Sequence, residues 1–301
     1  MSHLVTLLTD FGLQDSYVAQ MKGVMLAIQP DLRLIDITHQ IPPQQIATGA
    51  RILAETVVCF PKRTVHLAVV DPGVGTDRPL IAVVAGGQYL VGPDNGLLSL
   101  AARRLSEQAA EEISVTSAPG DPVAVPESDP SAAANEVGYG LRNRIRVVRL
   151  ENPAFWRSPV SNTFHGRDIM APVAAWLARG VSFSALGTES QMQMLHDPSA
   201  VLERIGDELS GKVVAVDHFG NLITDLRVAN GIREDQFPRL EIECGGVTIR
   251  GLSRCYGEHP PDQLLALCSS QGELEIALNG GHAAARLQVS IGTPVRVRIR
   301  S

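Results

Sequence analysis

A chain of 301 residues, 45% apolar and 19% charged, suits one large soluble domain or two ordinary ones rather than a fibrous or disordered polypeptide. A net charge of −6 and an aromatic content of 4% exclude the basic surface or stacking platform that a nucleic-acid partner requires. No apolar run reaches the roughly 18 residues of a membrane span, and the N-terminus lacks a basic region followed by a long apolar stretch, so no membrane partner and no signal peptide are expected.

The first half alternates strand-like and helix-like segments. Residues 4–9 read as a strand running into Asp10-Phe11-Gly12, and residues 16–28 as a helix with Val18, Met21, Met25 and Ile28 on one face before Pro30. A strand at 32–37, a helix at 46–59 and a strand at 65–70 follow. Residues 80–85 and 89–92 read as a strand pair joined through Gly86-Gly87, 97–105 as a helix, and 169–177 as a last helix with Pro172 near its start. This alternation predicts an α/β domain over residues 1–200, a mainly parallel sheet sandwiched by helices. Residues 118–147 interrupt it. Pro119, Gly120, Pro122, Pro126 and Pro130, with Asp121, Glu127, Asp129 and Glu136, mark an acidic Pro/Gly-rich insertion, read as a solvated loop. Beyond residue 211, short β runs at 212–216, 222–226, 240–244, 247–249, 264–267, 273–278 and 294–299, without helices, predict a smaller C-terminal β-barrel domain over 207–301. The boundary is expected near 195–210.

The four cysteines (Cys59, Cys244, Cys255, Cys268) are widely spaced and include no Cys-x-x-Cys, so the chain reads as a cytoplasmic protein with reduced thiols. Cys244, Cys255, His259 and Cys268 match no common zinc-ligand spacing, and no metal site is expected.

The chemistry concentrates in two loops. Asp71-Pro72-Gly73-Val74-Gly75-Thr76-Asp77-Arg78 follows the 65–70 strand and therefore sits at a strand's carboxyl end, where open α/β sheets bind ligands. It offers a carboxylate, a guanidinium seven residues later, and two glycines that permit close backbone approach. Thr163-Phe164-His165-Gly166-Arg167-Asp168 supplies an imidazole. Asp71, Arg78 and His165 brought together would form a site that activates water. A phosphate loop is not expected, because Gly73-Val74-Gly75 has neither the Gly-Lys-Ser/Thr ending nor the Gly-x-Gly-x-x-Gly spacing.

With these segments in view, the chain resembles the S-adenosylmethionine hydroxide adenosyltransferase family, whose relatives include fluorinases and chlorinases. The likeness rests on Leu8-Thr9-Asp10-Phe11-Gly12, Met21-Lys22-Gly23, Asp36-Ile37-Thr38-His39, Gly49-Ala50-Arg51, Val70-Asp71-Pro72-Gly73-Val74-Gly75 and Gly92-Pro93-Asp94-Asn95-Gly96. It continues through Thr163–Asp168, Asp217-His218-Phe219-Gly220-Asn221-Leu222-Ile223-Thr224 and Leu274-Glu275-Ile276-Ala277-Leu278-Asn279-Gly280-Gly281.

The resemblance implies a homotrimer with sites between subunits and hydrolysis of S-adenosyl-L-methionine (SAM) to adenosine and L-methionine, with Asp71, Arg78 and His165 as the catalytic trio. SAM is then substrate rather than cofactor, and no metal is implied. The resemblance assigns Asp10 to the ribose hydroxyls, Asp15 and Asp217 to the methionine ammonium, and Ser270 and Gln271 to its carboxylate. Asn221, Asn279 and Gly280 correspond to the adenine-recognition elements. The other readings are a halide-using SAM adenosyltransferase and a non-catalytic SAM-binding protein. The halogenating relatives carry an uncharged residue in place of Asp71 and a hydroxyl-bearing one in place of Gly166, so the pattern here favours water.

Overall fold

The computed structural model describes residues 3–116, 145–195, 203–205, 208–228 and 232–300. The chain divides into two compact units, Met1–Leu195 and His196–Ser301.

The first unit is a seven-stranded mixed sheet between two helical layers. Its strands are β1 (Leu4–Thr9), β2 (Arg33–Thr38), β3 (Val65–Val69), β4 (Leu80–Ala85), β5 (Gln88–Pro93), β6 (Arg146–Arg149) and β7 (Glu189–Ser190), in the order β2-β1-β3-β5-β4-β6-β7. The pairs β1/β2, β1/β3 and β3/β5 are parallel, whereas β5/β4, β4/β6 and β6/β7 are antiparallel. Register runs level across the sheet: Val5 pairs with Val65, Val65 with Tyr89, Tyr89 with Val84 and Val84 with Arg146. The sheet therefore has one edge at the carboxyl ends of β1, β3 and β5 and an opposite edge at their amino ends.

Strand alternation explains the layers. Val5, Leu7, Val65, Leu67 and Val69 face a core shared with Met21 and Met25 of α1 (Tyr17–Ile28) and with Val173, Ala174 and Leu177 of α4 (Ala171–Arg179). Leu8, Ala68, Val70, Ile81 and Val83 face the opposite core, with Ala50 and Leu53 of α2 (Ile46–Val57) and Ala101, Ala102 and Leu105 of α3 (Ser99–Thr116). His66, fully buried on this strand system, is satisfied at both nitrogens: Nδ1 lies 2.7 Å from Thr6 Oγ1 and Nε2 lies 2.6 Å from Gln88 Oε1. The Gln88 oxygen can only accept, so Nε2 carries the proton and Nδ1 accepts from Thr6.

The helix expected at 97–105 runs on to Thr116. Residues 118–144 of the insertion lie outside the described residues, while Arg146 and Val147, assigned to its end, open β6 instead. Their apolar partners Val83 and Ala82 in β4 draw Val147 and Val148 into the sheet.

The second unit is an antiparallel, nearly closed barrel. Its strands are β8 (Glu203–Ile205), β9 (Glu208–Val216), β10 (Leu222–Arg227), β11 (Leu240–Cys244), β12 (Val247–Arg250), β13 (Leu264–Cys268), β14 (Glu273–Leu278) and β15 (Pro294–Ile299). The path β12-β11-β15-β9-β10-β14-β13 ends with Ser253, just past β12, bridging to Leu267 in β13, while β8 pairs with β9 off this path. Inward residues Leu209, Val213, Leu222, Leu226, Ile242, Ile276 and Val297 fill its core. The sequence predicts no helix here, yet Ala283–Leu287 forms a short one, α5. His282 Nδ1 caps it by accepting from Ala285 N–H, and its buried Ala283, Ala284 and Leu287 join the barrel core.

Candidate active site

The sheet order places the site before any side chain is considered. Chain order runs from β1 outward to β2 on one side and to β3 on the other, which opens a crevice at the carboxyl ends of β1 and β3. Thr9 pairs with Val69 at these ends. Asp10 thus leaves β1, and Asp71 leaves β3, from adjacent positions on the same edge. A cavity of about 360 Å³ opens there, lined by Phe11, Tyr17, Val69, Asp71, Phe164 and His165 together with Gln20, Val74, Ser161, Thr163, Gly166 and Arg167.

Asp71 and His165 line this cavity, and Arg78 bridges the two. Arg78 Nε donates to Asp71 Oδ1 at 2.5 Å, and Arg78 Nη2 donates to Asp71 Oδ2, a two-pronged pair. The same guanidinium lies 3.3–3.4 Å from His165 Nδ1 through Nη2 and Nη1. A guanidinium has only donors, so Nδ1 must be the unprotonated acceptor and neutral His165 carries its proton on Nε2. Burial first, and the Arg78 charge second, hold the His165 pKa below its ordinary value, against smaller upward pulls from Asp71 and Asp168. The neutral tautomer is therefore the one the site favours.

Two local features bring these distant segments together. Gly75 has φ +81°, and a Cβ there would stand 2.7 Å from the Asn162 carbonyl oxygen, so only glycine lets the Asp71 loop close against the His165 loop. The second is Asp168, fully buried one turn beyond His165 in the π-helical turn Gly166–Met170. Its carboxylate accepts from Arg167 Nε (2.7 Å) and Nη2 (2.9 Å), Arg157 Nη1 (3.1 Å) and Ser161 N–H (2.9 Å). Burial pushes the Asp168 pKa up, but these donors together outweigh it and hold it low. The loop that carries His165 is anchored by this charge.

The sequence reading missed the cavity's apolar wall. Phe11, Tyr17 and Phe164 pack on one another with ring centroids 5.2–5.8 Å apart. Arg167 sits 5.0 Å above Phe164 and donates to Gln20 Oε1 at 2.9 Å. Phe11 and Phe164 each lie beside a residue that was recognised, and only the fold shows that Tyr17 joins them.

The other expected residues are distributed as follows. Asp10 is half-buried, with Oδ2 accepting from Gln44 N–H at 2.8 Å; Asp15 is exposed on the following loop. In the second unit, Asp217 Oδ1 accepts from Phe219 and Asn221 N–H (2.9 and 2.8 Å), and Oδ2 accepts from Asn221 Nδ2 at 3.0 Å. Both oxygens thus shape the Asp217–Asn221 turn itself. Asn279 Nδ2 donates to the His259 carbonyl at 2.6 Å, and Gly280 follows with φ +72°. Because Leu222 pairs with Ile276 and Leu264 with Leu278, Asn221, Asn279 and Gly280 share one end of the barrel. Ser270 and Gln271 sit in the β13–β14 turn at the other end, a strand of six residues away, about 17 Å at the usual rise. A buried carboxyl that the sequence reading did not single out, Glu275, accepts from Tyr256 Oη at 2.5 Å. Burial pushes its pKa up, and the nearby Asp217 charge adds to this.

Residues 5–135 and 130–187 match the SAM hydroxide adenosyltransferase N-terminal domain, and residues 211–296 match the C-terminal domain of the same family. The chain belongs to the SAM hydroxide adenosyltransferase family. A protein of Salinispora arenicola named (R)-S-adenosyl-L-methionine hydrolase is 35% identical over 97% of each chain. A Nocardia brasiliensis fluorinase is 24% identical over 98% of this chain and 97% of its own. Among solved structures, an uncharacterized conserved protein from Thermotoga maritima superposes with a TM-score of 0.76 at 29% identity, covering 97% of this chain and 99% of that one. The chain is an enzyme of this family.

Proposed function

We propose that this member of the family hydrolyses SAM to adenosine and L-methionine, with Asp71, Arg78 and His165 as its catalytic residues. The observation that carries the reading is the Arg78 guanidinium bridging the Asp71 carboxylate and the neutral His165 imidazole, both of which line one cavity. Support comes from a relative named (R)-S-adenosyl-L-methionine hydrolase along nearly its whole length.

The reaction forms a bond from water oxygen to ribose C5′ as the C5′–S bond breaks. The bonding pair stays on sulfur, methionine leaves as a neutral thioether, and one proton is released. Such a leaving group needs no acid, and no metal electrophile is invoked. Water is the reluctant partner, with a pKa of about 15.7. Arg78 stabilises hydroxide character as it develops, and His165 Nε2–H donates to the attacking oxygen and orients it. Since His165 Nδ1 is already occupied by Arg78, the remaining lone pairs of Asp71 are the proton acceptor. Asp10 holds the ribose from the neighbouring strand end. Asp15, Asp217, Asn221, Ser270, Gln271, Asn279 and Gly280 complete the contacts to adenine and methionine, in a homotrimer whose sites join two subunits. The compartment is cytoplasmic, in keeping with four unpaired cysteines. Among the described residues no helix is long and apolar enough to cross a membrane.

Halide use is disfavoured by Asp71, whose charge repels the anion that such an enzyme must strip of water. Incubation with SAM in H₂¹⁸O, with and without chloride or fluoride, tests the proposal. Adenosine labelled at O5′ and unaffected by halide is expected. A 5′-halo-5′-deoxyadenosine would establish the halide reading, and bound but unaltered SAM the binding-protein reading. Size-exclusion chromatography with light scattering should give about three times the 32.2 kDa chain mass; a fully active monomer would refute the shared site.

A further inference from the structure

Two recognised segments, Met21-Lys22-Gly23 and Asp36-Ile37-Thr38-His39, have no part in the trio, yet the structure connects them to it. Lys22 Nζ, on α1, lies 2.7 Å from Asp36 Oδ2. Asp36 Oδ1 lies 3.0 Å from His39 Nε2, and His39 Nδ1 lies 2.9 Å from Thr9 Oγ1. Thr9 Oγ1 in turn accepts from Phe11 N–H at 3.2 Å, and the His39 carbonyl accepts from Gly12 N–H at 2.7 Å. Thr9 is fully buried and His39 is 3% exposed, whereas the Lys22 and Asp36 side chains are 30% and 39% exposed.

Thr9 Oγ1 has two lone pairs and one hydrogen, so it joins His39 Nδ1 to the Phe11 amide whichever way its bond to the ring runs. His39 Nε2 stands 3.0 Å from the Asp36 carboxylate, a close charge contact outside hydrogen-bond geometry. The carboxylate is held ionised: burial pushes its pKa up, but Lys22 and His39 together draw it below the usual range. The contacts thus run from an exposed ion pair, across the close Asp36–His39 approach, to the backbone of Phe11 and Gly12.

We propose that His39, backed by Asp36 and Lys22, is a positioning residue that holds the Asp10–Gly12 turn through Thr9, and so sets the affinity of the site for the nucleoside part of its substrate. This rests on the reading above that Asp10 holds the ribose. The turn has few other restraints. Gln44 N–H grips Asp10, and the Ile41 N–H reaches the Thr9 carbonyl at only 3.4 Å. His39 does not line the cavity, so its effect is transmitted by the turn.

The test uses the full chain carrying Asp36→Asn, His39→Gln, Thr9→Val, the Thr9→Val/His39→Gln double change, and Lys62→Met as a control in a separate surface ion pair. KM for SAM should rise about tenfold in each relay variant, the equivalent of losing one hydrogen bond to a charged or networked group, while kcat stays within about twofold. The double variant should cost no more than the worse single one, since both break one chain. Hydrogen exchange at the Phe11 and Gly12 amides should quicken in parallel. Asp36→Asn, being partly exposed, guards against a variant that simply fails to fold. Folded variants with unchanged KM, unchanged amide exchange, or a fall in kcat alone would overturn the proposal. If wild-type protein binds adenosine but does not hydrolyse SAM, the function is wrong. The relay is then judged by the adenosine Kd, which must weaken in the same variants.

Discussion

Replacing Asp71 by asparagine keeps the size of the side chain and removes its charge. The Asp71 and Arg78 side chains are 5% and 11% exposed, so little solvent screens the pair from outside. Breaking a fully buried pair costs about 3–5 kcal/mol. Here Arg78 retains its contact to His165 and position 71 lines an open cavity, which reduces the stability loss to about 2 kcal/mol. For a domain of this size that corresponds to a fall in Tm of about 4–8 °C. One amide oxygen still accepts from Arg78 Nε, but the amide NH₂ now opposes Nη2 and no lone pair is basic enough to take a proton from water. The expected fall in kcat is about 10²–10⁴-fold, with a much smaller change in KM. Steady-state production of adenosine and methionine, measured with thermal unfolding of the same sample, provides both numbers. A folded variant with kcat within fivefold of wild type would remove Asp71 as the proton acceptor.

Arg78→Lys should lower kcat by about 10–100-fold with little loss of stability, because a point ammonium cannot serve both Asp71 oxygens and His165 Nδ1; equal turnover in the two proteins would refute the fork's role. The acid limb of the kcat–pH profile should fall below pH 6.5, since burial and Arg78 keep His165 neutral, and it should vanish in His165→Gln; a limb centred above 6.5 would contradict the tautomer. His66, fully buried with its pKa lowered to about 4 chiefly by burial, binds a proton more readily unfolded than folded. Its contribution is thus complete above pH 6.5 and is lost as pH falls towards 4. Urea unfolding at pH 7 and pH 4.5 should differ by about 2.5 kcal/mol more in wild type than in His66→Gln. A Cβ on Gly166 would meet Phe164 at 3.4 Å and Met21 Sδ at 3.5 Å, ordinary packing distances. Gly166→Ser should therefore fold within about 1 kcal/mol of wild type and still yield adenosine alone in chloride; a chlorinated product would sink the argument from Asp71 charge.

The parts legible in the sequence were those with a local cause. Near-continuous apolar runs marked β1, β3 and β4 because nearly every residue there faces one of two cores, whereas barrel strands such as β11 and β15 stood out by alternation, one face turned inward. Asp71, Arg78 and His165 could be nominated because each lies in a short motif. What was not legible depends on pairing across the chain. The β4/β5 hairpin was read at Gly86-Gly87, but β6, which extends this antiparallel half, has only four residues, too few for a period. Helix α5 is five residues long and exists because His282 caps it and the barrel buries its alanines. The three-ring wall joins Phe11, Tyr17 and Phe164 from segments about 150 residues apart, and the His39 relay crosses from β1 to α1 through β2. Neither leaves a mark in any one window.

The level register of the first sheet separates two kinds of evolutionary freedom. Arg146 lies in line with Val84, Tyr89, Val65 and Val5, so the chain re-enters the sheet after α3 at the amino-end edge. Asp10, Asp71 and the loop that follows Leu150 leave from the opposite edge, where Leu150 N–H reaches Leu80. Sequence can therefore be added between α3 and β6 without lengthening either loop that holds the trio. In the 71–78 loop Gly75 leaves no such room, since one methyl group there already collides with the Asn162 carbonyl. The fold thus has a conservative pole, where tenths of an ångström matter, and a permissive pole, where lineages can acquire new segments while the reaction is left undisturbed.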